Sequence, residues 1–417
     1  MVNTTKSVKS RLKQQVAQHF QAYADATDRI VLAFSGGLDS CVLLDILRSV
    51  SSTHKLLVWH VNHGLQDCAG DMENFCKRRS TDYQVDFRVS HLKLSDASAN
   101  LEALARKGRY AEFEKHLTPA DLLLTAHHAD DQSETLLMNL LRGSGSAGLR
   151  GIAENRRLGK AWVLRPLLPV SRDTLAEYAR QRSITWFEDP SNQNERFDRN
   201  YLRRQVLPAL KARWPGYLDS IRRVCRIQSE TQQLMDEIGE ADYQYCRLEP
   251  LRLCQQCLDN LSIVRQKNVI RFWLRINQAA CLPTGRLDSL IKQLGAQPHS
   301  QPLIQGDGYD IRIYNRQLFM VKPVQQTDLQ SCYELNNDDV VRISPLGLEI
   351  SRAEVFRRLK LVDEGQALSL CFRRYGTAPK PARHRLKRLF QKYHVPPWLR
   401  GQTPQIHIDG ELTALLL

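Results

Sequence analysis

Short apolar runs alternate with amphipathic stretches through the first 190 positions of the chain. Ile30 to Phe34, Leu56 to Val61, Gln84 to Val89 and Leu122 to Ala126 read as strands, and helical periodicity over 39–50, 71–82, 100–116 and 131–142 separates them. Strands that are apolar on both sides and alternate with helices predict a parallel sheet, covered on both faces and joined by right-handed crossovers. A stretch punctuated by Pro and Arg follows, from Arg165 to Pro215. Helical patterns then run over 218–245, 261–277 and 285–294, with strand-like pieces at 310–314 and 318–321. The polar run from Gln325 to Asp339 reads as a linker. Beyond it, short strands accompany one helix over 381–394, stopped by Pro396 and Pro397. The expected division is an α/β domain over 1–215, a mostly helical domain over 216–325 and a basic α+β domain over 335–417.

Composition narrows the class. Of 417 residues, 42% are hydrophobic and 25% charged, which excludes a disordered, collagen-like or fibrous chain. No apolar run approaches the roughly 18 residues a membrane helix needs, and the N-terminus lacks the apolar core of a secretory signal. Ten scattered cysteines lead to an expectation of reduced thiols and a cytoplasmic location. Lys and Arg number 59 against 45 Asp and Glu, a net charge of +14 that favours an anionic partner. The excess is local: Arg196 to Arg226 holds nine basic and two acidic residues, and Arg373 to Arg400 holds nine basic and none acidic. On the helix within that second stretch, Leu386, Leu389, Phe390 and Tyr393 form one apolar stripe. Arg383, Arg385, Lys387, Arg388 and Lys392 take the remaining circumference, a single-sign face suited to phosphates.

One motif carries chemistry. Ser35-Gly-Gly-Leu-Asp-Ser40 follows a strand and opens a helix. Its glycines let backbone amides turn toward an anion, the helix N-terminus adds unpaired N–H groups, and both serines can donate to phosphate oxygens. Asp39 repels phosphate and is the natural ligand for Mg²⁺. Neither a Walker-type loop nor a Gly-x-Gly-x-x-Gly fingerprint occurs in the chain. Asp130, Asp131 and Glu134 cluster at a helix start, where they can serve as caps or as a site. His127 and His128 lack a convincing ligand spacing, because a strand end turns neighbouring side chains apart. Cys254 and Cys257 read as ordinary thiols.

The loop resembles that of the PP-loop N-type ATP pyrophosphatases. Further stretches narrow the likeness: His60 to Leu65, Ala105 to Tyr110, Ala126 to Thr135, Arg165 to Leu168, Asp189 to Asn192, and Arg199, Asn200 and Arg203 beyond. Together they are similar to the tRNA(Ile)-lysidine synthetase family, as is Val395-Pro-Pro-Trp-Leu-Arg400 near the C-terminus. Gln66 departs from the pattern, where Arg would be expected. The resemblance implies a parallel-sheet α/β domain of the adenine nucleotide α-hydrolase type, a helical middle domain and a small α+β C-terminal domain. It implies ligation of L-lysine to the wobble cytidine of the CAU-anticodon isoleucine tRNA, using ATP and Mg²⁺. ATP would lie against Ser35, Gly36, Gly37, Leu38, Asp39 and Ser40, with His63, Arg106 and Arg109. Asp39, Arg109, Asp130 and Asp131 would be catalytic, with Asp39 as metal ligand. Lysine would meet Asp130, Asp131 and Glu134. The tRNA would meet Arg199, Arg203, Arg204, Arg383, Lys387, Arg388, Lys392 and Arg400. A homodimer is among the assemblies the sequence allows. Two rivals remain: a PP-loop tRNA thiolase, and an RNA-binding protein with a decayed ATP site, against which the intact loop argues.

Overall fold

The computed structural model describes residues 8–24, 27–50, 54–64, 68–92, 101–190, 197–295, 303–321, 332–336, 340–343, 348–363, 365–372 and 380–416. Gln66 lies outside them. Two compact units divide the chain, Met1–Leu234 and Met235–Leu417.

In the first unit, α1 (Val8–Ala24) leads to β1 (Arg29–Ala33), α2 (Leu38–Val50), β2 (Lys55–Asn62), α3 (Ala69–Asp82) and β3 (Asp86–His91). Next come α4 (Leu101–His116), β4 (Asp121–Leu124), α5 (Ala129–Leu141) and α6 (Ser146–Leu149). The hairpin of β5 (Asn155–Leu158) and β6 (Ala161–Leu164) precedes α7 (Arg172–Gln181). The sheet order is β3-β2-β1-β4-β6-β5, parallel throughout except for β5 against β6. The chain winds outward from β1 to β3, then crosses to the other side of β1 to lay down β4. That reversal opens a crevice past the C-terminal ends of β1 and β4, where open α/β sheets gather their ligands.

Period-two alternation on β1 explains why both faces are covered. Ile30 and Leu32 pack with Leu43 and Ile46 of α2 and with Leu12 and Val16 of α1. Val31 points the other way, into Trp59, Phe113, Leu123 and Val163. Each such side chain stabilises the fold by about 1.5–3 kcal/mol through burial. One buried charge ties the helices together. Asp45 on α2 accepts hydrogen bonds from Tyr178 Oη at 2.7 Å, Tyr83 Oη at 3.1 Å and Arg182 Nε at 3.2 Å. Burial opposes its ionisation, but these partners win and hold its carboxyl below the usual range.

In the second unit, five short antiparallel strands run in the order Arg247–Glu249, Arg252–Cys254, Gln317–Val321, Asp310–Tyr314, Leu303–Gln305. Trp273, Leu287, Ile311 and Leu318 join them to the helices Ile263–Ile276 and Thr284–Leu294. The sequence pattern reveals only two of these strands, because the other three have three residues each and carry no readable period. A further sheet orders Cys332–Glu334, Leu368–Cys371, Gln405–Ile408 and Glu411–Leu415.

Three expectations need correction. The supposed linker 325–339 contains the strand Cys332–Glu334, and 325–331 and 337–339 lie outside the described residues. Cys332 and Cys371 are register partners across two strands and form a disulfide, although 39 positions separate them; the other eight cysteines are in no disulfide. Tyr393 falls beyond the helix Lys380–Lys392 and is 45% exposed, so the buried stripe is Leu386, Leu389 and Phe390. Among the described residues no helix is long and apolar enough to cross a membrane.

Candidate active site

Phe34 to Gly37 make the turn from β1 into α2. Gly36 has φ +78°, and a Cβ there would meet Cys76 Sγ at 3.0 Å and Phe75 Cδ1 at 3.2 Å. Both conformation and space therefore require glycine. Gly37 differs: its nearest neighbour would be Ser35 Oγ at 3.6 Å, so the protein leaves its open side unfilled toward the cleft. Ser35 Oγ and Ser40 Oγ lie 3.2 Å apart, and Ser40 donates to the Gly37 carbonyl at 3.0 Å. The first-turn amides of α2 have no helical acceptor, which makes this corner a seat for an anion. The Phe187 amide donates to the Gly36 carbonyl at 2.9 Å, fixing the loop against the far wall.

Opposite, at the end of β4, His128 caps α5. Its Nδ1 accepts from the amides of Asp130 (3.2 Å) and Asp131 (3.4 Å), while its own amide donates to Asp131 Oδ2 at 3.0 Å, a capping box. The cap is thus a histidine rather than either aspartate. His128 Nε2 lies 3.5 Å from Asp39 Oδ2 and from Asp131 Oδ2. Burial opposes charge on this ring and the carboxylates of Asp131, Asp130 and Asp39 favour it; with Nδ1 accepting the two amides, the ring proton sits on Nε2, which faces Asp39 and Asp131. His128 so joins the loop after β1 to the acidic cluster after β4. Asp39 Oδ1 is buried and accepts no hydrogen bond among the described residues. A spare carboxylate oxygen beside an anion seat fits a divalent cation.

Asp130 Oδ2 accepts from the Arg172 amide at 2.8 Å, in the first turn of α7. Glu134 is fully buried: Arg203 grips it through Nε (2.8 Å) and Nη2 (3.0 Å), and Arg199 Nε approaches to 3.0 Å. Arg203 Nη2 also lies 3.5 Å from Asp131 Oδ1. Both oxygens of Glu134 are therefore occupied by guanidinium groups.

These elements surround a cleft of about 770 Å³. Ser35, Gly37, Leu38, Asp39, Ser40, His63, Arg109, Asp131, Arg172 and Arg203 line it; Gly36, Arg106, Asp130 and Glu134 do not. Arg106 instead stacks over the Tyr110 ring at 5.3 Å. Burial, with Arg109 and His60 nearby, lowers the His63 pKa to about 4, so this imidazole is neutral. Its Nδ1 is buried and finds no hydrogen-bond partner among the described residues. His127 bonds Thr125 Oγ1 at 2.7 Å and is held well below its usual range by burial and the surrounding arginines.

Comparison with known proteins fits this geometry. Residues 5–210 match a PP-loop domain, 253–319 a TilS substrate binding domain and 368–416 a TilS substrate C-terminal domain. The tRNA(Ile)-lysidine synthase of Pectobacterium atrosepticum is 35% identical over 401 residues, covering 92% of this chain and 89% of the relative. That of Vibrio vulnificus is 33% identical over 414 residues, covering 97% and 95%. The chain belongs to the tRNA(Ile)-lysidine synthase family. Among solved structures, the U34-tRNA thiolase NcsA of Methanococcus maripaludis aligns with 54% of this chain and 81% of its own, at 17% identity and a TM-score of 0.46.

Unlike the loop, the residues expected to meet tRNA are divided between the two units. Arg199 and Arg203 turn inward to Glu134, whereas Arg204 is exposed. Lys387, Arg388 and Lys392 are exposed on the helix Lys380–Lys392, and Arg400 bonds the Val395 carbonyl at 3.1 Å. The Arg383 side chain lies outside the described residues. Sequence reasoning missed His128 and the wall of Trp186 and Phe187. His128 did leave a signal: it stands three residues before Asp131, the spacing of a capping box.

Proposed function

We infer that this chain ligates lysine to the wobble cytidine of the CAU-anticodon isoleucine tRNA, forming lysidine with release of AMP and pyrophosphate. The observation that carries this reading is 33–35% identity to tRNA(Ile)-lysidine synthases over 92–97% of the chain. ATP use follows from the PP-loop domain.

In the first step the cytosine carbonyl oxygen attacks the α-phosphorus, and the bond to the bridging oxygen breaks as pyrophosphate leaves. In the second, the lysine ε-amine attacks the ring carbon that bears this oxygen, and AMP departs with the former carbonyl oxygen. The loop amides, Ser35 and Ser40 hold the pyrophosphate moiety, and Gly37 leaves the space for its approach. Arg109 stabilises charge developing on the α-phosphate. Asp39 would hold Mg²⁺, which when bound offsets phosphate charge. Asp131 holds the lysine ammonium in the cleft and takes its proton before attack. Asp130 and His128 position Asp131 and Asp39. We reassign Glu134 from lysine ligand to counter-ion: it aims Arg203 at the cleft. His63 offers a neutral hydrogen-bonding edge to the nucleotide. We propose that 1–215 acts as the catalytic part, with 216–325 and 335–417 binding tRNA in the cytoplasm.

A sulfur-transferring alternative would require a reactive thiolate beside the loop. Cys41 and Cys76 are both buried there, and burial pushes the Cys41 thiol up to about 12 and Cys76 higher still. The test is labelled lysine with ATP, Mg²⁺ and an unmodified isoleucine tRNA transcript. Lysine should enter the RNA only when ATP is present, and Asp39→Ala should abolish pyrophosphate release while tRNA binding persists. Lysidine formation by Asp39→Ala would overturn its assignment as metal ligand.

A further inference from the structure

The helix that supplies Arg199 and Arg203 has a second face. Asp198–Tyr201 is α-helical, Leu202–Val206 forms a π-turn, and Leu207–Arg213 continues as α-helix. Arg199 and Arg203 are four apart and both point inward to Glu134. Tyr201 is offset by two residues from each arginine and so takes the opposite, outward side, and Phe197 precedes the helix as the extended residue at its N-terminus. Phe197 is 47% and Tyr201 51% exposed, large aromatic rings without a covering element among the described residues. Arg142, at the end of α5, lies 3.9 Å from Asp198. Arg204 is exposed one turn further on.

An exposed apolar patch on its own is ambiguous, but three features here select one occupant. Both uncovered ring residues are aromatic. They sit in the basic stretch Arg196 to Arg226, with nine positive and two negative residues. Arg203, two residues from Tyr201, lines the cleft. Aromatic rings amid arginines are how proteins hold unpaired bases, through stacking and backbone neutralisation. A cytidine entering the cleft must leave its stack, and its neighbours then lose a stacking partner.

We propose that Phe197 and Tyr201 form a stacking platform, on the outer side of the segment whose inner side lends Arg203 to the cleft, for unpaired bases adjoining the reacting cytidine, with Arg204 against the RNA backbone. This inference rests on the proposed tRNA chemistry, and it names the surface that replaces the stacking lost on base extrusion. Loss of one stacked base costs about 1–3 kcal/mol, so Tyr201→Ala should raise KM for tRNA by roughly 5- to 150-fold. The KM for ATP and for lysine should hold, as should kcat and the melting temperature. Tyr201→Trp should restore the tRNA KM, because stacking requires a ring and not the hydroxyl.

A second readout does not depend on turnover. In an isoleucine anticodon stem-loop with 2-aminopurine beside the wobble cytidine, the wild-type protein should quench fluorescence by stacking. Phe197→Ala with Tyr201→Ala should abolish that quench. A double variant with wild-type quench and wild-type tRNA KM would overturn the platform. So would a double variant whose only change is in sedimentation, which would assign the patch to a protein partner. If the wild-type protein quenches the probe but incorporates no lysine, the platform stands and the proposed reaction falls.

Discussion

Two adjacent glycines in the loop do different work. Gly36 is required by the fold itself, through its positive φ and its contact with Cys76. Gly36→Ala should therefore cost about 1–3 kcal/mol of stability. Gly37 meets nothing nearer than 3.6 Å, so Gly37→Ala should leave the melting temperature almost unchanged and weaken ATP binding instead. Thermal unfolding with and without ATP separates the two; equal destabilisation by both would refute the distinction. At this scale the sequence was highly legible where a local turn dictates residue type, as at 35–40. It was poorly legible where a residue gains its role from a distant loop. His128 illustrates this: its cap is local, but its link to Asp39 exists only because β1 and β4 are neighbours in the sheet. The same applies to Glu134, whose arginine partners lie more than 60 positions away.

Among elements, strands buried on both faces and helices with clear periodicity appear where the pattern puts them, within a few residues. What escaped were the three-residue strands of the second unit, whose pairing is set by neighbours rather than by their own period. The buried charge on α2 yields a test of how these elements are tied. Tyr83, Tyr178 and Arg182 reach Asp45 from the end of α3 and from α7. Arg182 is itself 38% exposed, so solvent weakens its share. Asp45→Asn should cost about 1–3 kcal/mol at pH 7. Because the folded-state pKa of Asp45 is lowered, its contribution is fully present above the unfolded value of about 3.9 and disappears as pH falls through the folded value. Urea melts across pH should thus show wild type and variant converging in acid. A constant gap would mean that the charge of Asp45 adds nothing.

For the whole molecule, the net charge of +14 resolves into separate functions. Part of it is internal, spent on Glu134 and the acidic cluster. Part is outward, on the single-sign helix Lys380–Lys392, where Lys387, Arg388 and Lys392 are exposed. Replacing these three should weaken tRNA binding and lower the slope of log K against log salt by about 2–3. An unchanged slope would make the helix an ordinary solvated surface. The central claim concerns the product, and nuclease digestion with mass spectrometry of the reacted isoleucine tRNA tests it most directly. The account predicts that the wobble cytidine alone gains the mass of lysine less one water, with one AMP and one pyrophosphate released per modified tRNA. An unmodified wobble cytidine, or a sulfur-sized increment on any base, would contradict it.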